Sequence, residues 1–195
     1  MKHEIEAKFL SVDKDAMRTK LKNAGFALEA SEFLMRRKTF DLPSAAGRRW
    51  GRVRQESGRI TMTVKEVRRD AVDGTFEAEV GVDDFDAACA IFEACGFPAK
   101  SSQENRREAW ARGGVEATID TWPGLRPFVE IEGPDETAVR TAAAELGFRF
   151  DDALFGPVNP VYERELGIPA EEISRLAEIT FAHPPRKWGE SPDDR

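Results

Sequence analysis

Polar and apolar residues alternate along much of this chain, which is the pattern of a β-strand with one polar and one apolar face. The pattern is clear at the start, where Glu4, Glu6 and Lys8 interleave with apolar neighbours. Turn residues between the alternating segments indicate that neighbouring strands run antiparallel. The predicted strands are residues 3–10, 27–41, 50–55, 60–67, 75–82, 103–111, 115–122 and 127–133.

Stretches with apolar residues at helical spacing separate some of these strands. The first three each end near a Gly-Phe pair, and glycine commonly stops a helix because it adopts the left-handed conformation. Asp13 is predicted to cap the first of them. Residues 44–47 are predicted to form a loop and residues 183–195 a loose end. The predicted helices are residues 11–24, 84–95, 135–146 and 171–181.

The polar faces of the predicted strands carry charges of both signs at positions i and i+2. Arg52 and Arg54 share one face of their strand, as do Glu77 and Glu79 of another. In an ordinary two-layer protein these faces would lie outside in water, and that alternative explains any single strand. Because mixed charge recurs across the whole series, we favour a closed sheet whose polar face lines a lumen. The predicted fold class is α+β, an antiparallel β-barrel with helices packed outside.

The chain has 195 residues, which we divide into a barrel domain at 1–168 and a C-terminal helix with a tail at 169–195. Its net charge of −7 argues against nucleic acid as a partner, because nonspecific binding depends on Lys and Arg that neutralise phosphates. No apolar run approaches the roughly 20 residues of a membrane-spanning helix. We therefore expect a cytoplasmic protein without a membrane partner, and leave monomer and homodimer both open.

Carboxylates recur as Glu-x-Glu pairs on three of the predicted strands. A cluster of carboxylates without Cys or His ligands selects hard cations such as Mg²⁺ or Mn²⁺. The two histidines, His3 and His183, do not sit at a metal-ligand spacing, which argues against zinc. The acidic candidates for the lumen are Glu4, Glu6, Glu77, Glu79, Asp120, Glu130 and Glu132.

Basic residues on the same faces indicate an anion that carries several phosphates, because an Arg pair can fork onto phosphate oxygens and Lys adds a point charge. Carboxylates, metal and basic groups in one cavity are the components of phosphoryl transfer. The chain has no Gly-rich phosphate loop and too few histidines for a Ser-His-Asp arrangement. The basic candidates are Lys8, Arg52, Arg54, Lys65 and Arg107, with Lys38, Arg68 and Arg106 as further possibilities.

The order of these motifs resembles the CYTH family, also called the triphosphate tunnel metalloenzymes. That family includes class IV adenylate cyclases, thiamine triphosphatases and inorganic triphosphatases. The resemblance extends from residue 3 to about residue 166. The segments that carry it are Glu4-x-Glu6-x-Lys8, Arg52-x-Arg54, Thr63-x-Lys65, Glu77-x-Glu79, Arg107-x-x-Trp110, Asp120, Glu130-x-Glu132 and Tyr162 to Leu166.

The resemblance implies an eight-stranded antiparallel tunnel that binds a triphosphate and one or two Mg²⁺ or Mn²⁺ ions. It implies that Glu4, Glu6 and Lys8 are catalytic and that Glu77 and Glu79 complete an acidic wall. The implied triphosphate ligands are Lys8, Arg52, Arg54, Lys65 and Arg107. The implied metal ligands are Glu4, Glu6, Asp120, Glu130 and Glu132.

One position departs from the family pattern in a way that bears on the substrate. Family members usually carry Lys two residues before the arginine that matches Arg107, and this chain has Asn105 there. Arg106 cannot simply replace that lysine, because alternation sends its side chain to the opposite face from Arg107. We therefore expect the tunnel to hold less positive charge than is usual.

Three functions are compatible with this series of residues. The first is metal-dependent hydrolysis of a triphosphate such as ATP, tripolyphosphate or thiamine triphosphate. The second is a class IV adenylate cyclase that makes cyclic AMP and pyrophosphate from ATP, which Ala7 favours because many phosphatase members carry Arg there. The third is a non-catalytic protein that binds a nucleotide or polyphosphate.

Overall fold

The computed structural model describes residues 1–43 and 48–189. The predicted loop at 44–47 and the last part of the predicted tail lie outside these residues. The described strands are β1 (Lys2–Glu4), β2 (Glu6–Phe9), β3 (Ala27–Asp41), β4 (Arg49–Glu56), β5 (Arg59–Val67), β6 (Thr75–Val82), β7 (Ala99–Arg112), β8 (Val115–Thr121), β9 (Phe128–Glu132) and β10 (Glu178–Ile179). The described α-helices are α1 (Lys14–Asn23), α2 (Phe85–Ala94), α3 (Glu136–Glu145), α4 (Asn159–Leu166) and α5 (Ala170–Arg175).

Nine of these strands form one antiparallel sheet in the order β1-β6-β5-β4-β3-β7-β8-β9-β2. The two ends of that order are consecutive in the chain, because only Ile5 separates β1 from β2. The N-terminal segment thus pairs with β6 through its first half and with β9 through its second half. The result is a nearly closed barrel with one unsealed seam. The predicted barrel is confirmed, with its first strand divided in two.

The seam lies where the N-terminal segment changes partners, and backbone hydrogen bonds flank it on both sides. The Glu6 N–H donates to the Val72 carbonyl at 3.0 Å, and the Gly133 N–H donates to the Ile5 carbonyl at 3.1 Å. These bonds satisfy backbone groups that would otherwise face an open edge.

The helices α1, α2 and α3 each begin with an aspartate N-cap. Asp13, Asp84 and Asp135 each accept a hydrogen bond from the backbone N–H three residues later, at 2.8 Å in every case. Such an N-cap satisfies one of the free donors at the start of a helix. Two of the stops, Gly25 and Gly147, follow α1 and α3 with φ values of 80° and 84°, so the predicted glycine ends are confirmed.

The apolar core lies outside the barrel wall, between the sheet and the helices. Met17 and Leu21 of α1 and Val139 of α3 pack with Phe9 and Ile131 from the outer face of the sheet. A second cluster joins α2 to β3 and β4, and a third lies beneath α4 and α5. Burial of these outward faces explains why the polar faces of the same strands turn inward.

The C-terminal region differs from the sequence-based expectation. The predicted helix at 171–181 is wrong beyond Arg175, where α5 ends and Leu176 takes an extended backbone conformation. The chain then forms β10, which runs parallel to β7, and the Ser102 N–H donates to the Ala177 carbonyl at 2.9 Å. Sheet pairing at this edge therefore replaces the last turns of the helix.

Residues 162–166, which resemble the end of the family pattern, lie in α4. This helix was not predicted from the sequence. Tyr162 is fully buried there, and its hydroxyl donates to the Pro123 carbonyl at 2.8 Å. This hydrogen bond ties α4 to the turn between β8 and β9. Across residues 1–43 and 48–189, no helix has the length and apolar character needed to cross a bilayer.

Gly51 of β4 provides a test of how α2 packs on the barrel. A Cβ atom at this position would lie 2.6 Å from Cε1 of Phe92, whose ring stacks on Phe40 with centroids 4.5 Å apart. We expect Gly51→Ala to lower the free energy of unfolding by about 1–3 kcal/mol, because the buried ring must shift. Urea unfolding measures the change. Gly81→Ala on β6 is the matched control, since nothing lies within 4 Å of a Cβ there; equal losses in both variants would contradict this packing.

Candidate functional site

A cavity of about 1100 Å³ occupies the interior of the barrel and opens to solvent. Side chains from β1 to β9 converge on it because every second residue of each strand points inward. The structure brings together eleven of the twelve site residues predicted from the sequence. The predicted residues that line the cavity are Glu4, Glu6, Lys8, Arg52, Arg54, Lys65, Glu77, Glu79, Arg107, Glu130 and Glu132.

Lys8 lies at the centre of one group of buried charges. Its Nζ is 2.8 Å from Oε1 of Glu6 and 3.1 Å from Oε2 of Glu130. Burial acts to lower the pKa of Lys8, but the carboxylates of Glu130 and Glu6 outweigh it and raise the pKa above its usual range. Burial likewise acts to raise the pKa of Glu130, yet Lys8 and Arg107 hold it far below its usual range. These two residues are therefore a mutually stabilised ion pair.

Lys65 neutralises a second group of carboxylates. Its Nζ contacts Oε1 of Glu4 in a short ion pair and lies 3.5 Å from Oε2 of Glu77. The other carboxylate oxygen of Glu4, Oε2, is buried and has no hydrogen-bond partner among the described residues. A buried acceptor without a donor is costly, so Glu4 retains an oxygen that can bind a ligand.

Glu6 and Glu132 face each other across the pairing of β2 and β9, next to other carboxylates. Burial, Glu130 and Glu4 raise the pKa of Glu6 to about 7, against the opposing effect of Lys8. Glu132 is exposed at the end of β9. Burial and the charges of Glu4, Glu130 and Glu6 raise the pKa of Glu132 to about 7. Like charges thus remain partly uncompensated at this end of the acidic wall.

Arginines form the wall made by β4. Nη2 of Arg52 donates to Thr63 and Glu79, both at 3.4 Å, and Nη2 of Arg54 donates to Glu56 at 3.3 Å. Burial and the charge of Arg52 lower the pKa of Arg54 to about 10. The Nε atoms of Arg52 and Arg54 are buried and have no hydrogen-bond acceptor in the described part of the chain; Nε of Arg54 is 3.2 Å from Glu56, without hydrogen-bond geometry.

Asp120 lies behind the cavity surface rather than on it. It is fully buried and accepts from Asn105 at 2.9 Å, from Arg107 Nε at 2.9 Å, from Arg107 Nη2 at 2.6 Å and from Thr118 at 3.2 Å. In this arrangement Asp120 anchors Arg107 so that the guanidinium also reaches Glu130, at 3.3 Å. Its role as a metal ligand stays a prediction.

Sequence reasoning missed Arg37, which lines the cavity from β3. Its predicted neighbour Lys38 does not line the cavity, nor do Arg68 and Arg106. The β3 sequence misleads because apolar residues occur on both of its faces, so alternation alone does not show which face turns inward. The signal that could have found Arg37 is its spacing from Thr39, which also lines the cavity.

The donor chemistry of the cavity fits a hard divalent cation. The candidate ligands are carboxylates, and Glu4 carries a buried oxygen without a donor, as described above. As placed, no three acidic, histidine or cysteine side chains of the described residues gather closely enough to hold one ion. Glu4, Glu6 and Asp120 instead contact Lys65, Lys8 and Arg107. The carboxylates are therefore of the right type to bind a metal ion. They would have to release the Lys and Arg side chains before they could bind it.

The CYTH domain profile matches residues 2–152 of the chain. The chain belongs to the CYTH family. The match spans the barrel and α3, so it includes every strand that contributes to the cavity.

Individual relatives show how far this CYTH chain resembles known proteins. A candidate adenylate cyclase, MJ0240 of Methanocaldococcus jannaschii, is 33% identical over 82 residues, which are 42% of this chain and 47% of that protein. The chain thus matches about half the length of that relative. The PH1012 protein of Pyrococcus horikoshii has a similar fold, with a TM-score of 0.67, 23% identity, and coverage of 77% of this chain and 93% of that one.

A candidate adenylate cyclase of Vibrio parahaemolyticus also shares the fold. Its TM-score is 0.67 at 18% identity, and the alignment covers 83% of this chain and 98% of that chain. At these identities the two solved structures establish the shared fold alone.

The anchoring role of Asp120 predicts a stability effect. We expect Asp120→Asn to lower the free energy of unfolding by about 3 kcal/mol or more, because Arg107 would lose the buried carboxylate that holds it through two hydrogen bonds. Urea unfolding without added ligand measures the loss. Asp41→Asn is the matched control, since Asp41 is exposed at the end of β3, pairs with Lys100 at 2.7 Å and should change stability by less than about 0.5 kcal/mol. A neutral Asp120→Asn would contradict the anchoring role.

Proposed function

We propose that this CYTH protein is a metal-dependent enzyme that hydrolyses a triphosphate inside its barrel. The observation that supports the proposal is that some charged side chains of the cavity retain polar atoms without a hydrogen-bond partner in the described part of the chain. Arg52, Arg54 and Glu4 line one cavity. The Nε atoms of the two arginines and the Oε2 atom of Glu4 are buried and have no hydrogen-bond partner among the described residues. A cavity with spare donors on one wall and a spare acceptor on another suits an anion bound together with a cation.

The basic residues would hold the phosphate chain. Arg52 and Arg54 offer forked donors from β4, while Lys8, Lys65 and Arg107 reach the cavity from other strands. All five are held by carboxylates as the structure stands. A triphosphate would compete with those carboxylates for the same cations, and each carboxylate released could then serve a metal ion.

The carboxylates would hold Mg²⁺ or Mn²⁺, with Glu4, Glu6, Glu130, Glu132 and Asp120 as the candidate ligands. When bound, such an ion neutralises charge that develops on the phosphate oxygens. Glu4 or Glu6 would orient the attacking water and accept its proton, and burial beside Glu130 makes the Glu6 carboxylate more basic. Lys8 would stabilise negative charge on the phosphate next to that water.

Cyclisation of ATP is the alternative, and aromatic residues in the cavity favour it. Trp122 and Phe128 line the same cavity as the arginines, and an adenine could contact the small parts of these largely buried rings that reach it. Two of the relatives described above are named as candidate adenylate cyclases. This reaction would use the same phosphate-binding wall, with the ribose hydroxyl in place of water as the nucleophile.

Product analysis separates the two reactions. The protein is incubated with Mg²⁺ or Mn²⁺ and with ATP, tripolyphosphate or thiamine triphosphate, and the products are identified by chromatography. Release of phosphate supports hydrolysis, whereas cyclic AMP with pyrophosphate from ATP supports the cyclase and overturns hydrolysis. If neither forms with any substrate, both enzymatic proposals fail and the remaining hypothesis is a binding protein.

Glu4 and Glu6 are the residues to change first. We expect Glu4→Gln and Glu6→Gln each to lower turnover by about 100-fold or more while the fold remains intact, since a neutral amide is a poor metal ligand and a poor base. Steady-state phosphate release measures turnover, and circular dichroism monitors the fold. Glu93→Gln is the matched control because Glu93 is exposed on α2. Retained activity in both tunnel variants would contradict the proposed metal site.

A further inference from the structure

We propose that Arg37 binds the phosphate chain and supplies the positive charge that Asn105 lacks, and that Asn105 is the residue that positions it. This inference rests on the proposed function in one respect, the assumption that the cavity binds a chain of phosphates. It adds a binding residue from β3, a strand from which the sequence suggested only Lys38, and Lys38 does not line the cavity.

Arg37 is a buried cation that forms no ion pair with any carboxylate of the described residues. More than nine-tenths of the residue is buried, and it faces the cavity. Its Nη2 donates to the neutral side-chain oxygen of Asn105, and its Nε has no hydrogen-bond partner within residues 1–43 and 48–189. The guanidinium lies 4.6 Å from the centre of the Trp122 ring, which supports it without neutralising it.

The neighbours of Arg37 increase this excess of positive charge. Arg37 lies directly opposite Arg54 in the pairing of β3 and β4, and like charges in such a position are destabilising. Burial, Arg52, Arg54 and Arg107 all act to lower the pKa of Arg37. The acid that counteracts them is Asp120, whose oxygens already accept from Asn105, Arg107 and Thr118. An anion between Arg37 and Arg54 would relieve the repulsion.

Asn105 suits this arrangement better than a charged residue would. Its Nδ2 donates to Oδ1 of Asp120 at 2.9 Å, and its Oδ1 accepts from Arg37. The carboxylate accepts only and the guanidinium donates only, so the two partners fix the orientation of the amide. A lysine at 105 would offer no acceptor and would repel Arg37. An ionised aspartate would cancel the charge of Arg37 and repel Asp120.

The expectation of reduced positive charge from Asn105 is therefore offset by Arg37. Two guanidinium groups on adjacent strands present several donors, which match an anion with many oxygens better than a single phosphate. Arg37 should thus contribute more to the binding of tripolyphosphate than to that of orthophosphate.

Calorimetric titration with tripolyphosphate tests this inference in metal-free buffer, where binding is measured without turnover. We expect Arg37→Gln to weaken tripolyphosphate binding by roughly tenfold or more, as loss of a hydrogen bond to a charged group predicts. Arg36→Gln is the matched control on the same strand, because Arg36 is exposed on the outer face and donates to Gln55 at 2.6 Å. Orthophosphate binding should change less in Arg37→Gln than tripolyphosphate binding does.

Stability without ligand distinguishes a binding role from a structural one. We expect Arg37→Gln to unfold at the same or a higher temperature than the unmodified protein, because it removes the repulsion with Arg54. A second variant, Asn105→Asp, keeps Arg37 but places a carboxylate against both Arg37 and Asp120. At alkaline pH, where that carboxylate is ionised, it pairs with Arg37 and should weaken tripolyphosphate binding as well. If Arg37→Gln does not fold, Asn105→Asp still decides the inference.

The results separate this inference from the proposed function. Unchanged tripolyphosphate binding in Arg37→Gln and in Asn105→Asp overturns the inference, whether or not the unmodified protein hydrolyses triphosphates. Weaker binding in those variants supports it even if no hydrolysis is found, in which case the proposed function alone fails. An unmodified protein that does not bind tripolyphosphate overturns the inference.

Discussion

Mutual neutralisation of charge inside the barrel is the constraint on which the rest of this structure depends. Closing the sheet buries a face that carries Lys, Arg, Asp and Glu, and each isolated buried ion would cost several kcal/mol. The structure meets this cost by pairing, as in Lys8 with Glu130 and Arg107 with Asp120. The apolar faces are then free to bind the helices outside. The sheet thus separates two buried regions, a charged one inside the barrel and an apolar one between the sheet and the helices.

Charged side chains that lie next to like charges indicate the function of the barrel interior. Arg37 faces Arg54, and Glu132 lies among other carboxylates, where burial and their charges together raise its pKa to about 7. Repulsion between these like charges lowers the stability of the folded protein. Such groups are typical of a binding site, where a ligand of opposite charge removes the repulsion. Positive excess lies on the β3 and β4 wall and negative excess on the β2 and β9 wall. A polyanion with a divalent cation complements both walls at once, which is the basis of the proposed function.

Much of the fold and most of the site followed from local patterns. Alternation identified the strands of the barrel, the aspartate caps and glycine stops bounded helices, and eleven predicted residues line the cavity. The failures have physical causes. Residues 176–181 do not form the predicted helix, because β10 pairs with β7, a strand that is far away in the sequence. Arg37 was missed because Phe33 and Met35 are apolar residues on the same inward face, which obscures the alternation.

The sequence by itself determined the elements and their two faces, because both arise from the periodicity of helices and strands, which involves only neighbouring residues. It also determined the chemistry of the site, since the residue types that line the cavity are written along the strands. Only the tertiary structure decided which face turned inward on β3 and which charges meet. Asn105 contacts Arg37 and Asp120 because the strand pairing aligns β3, β7 and β8. That alignment is set by closure of the whole barrel, and no local pattern contains it.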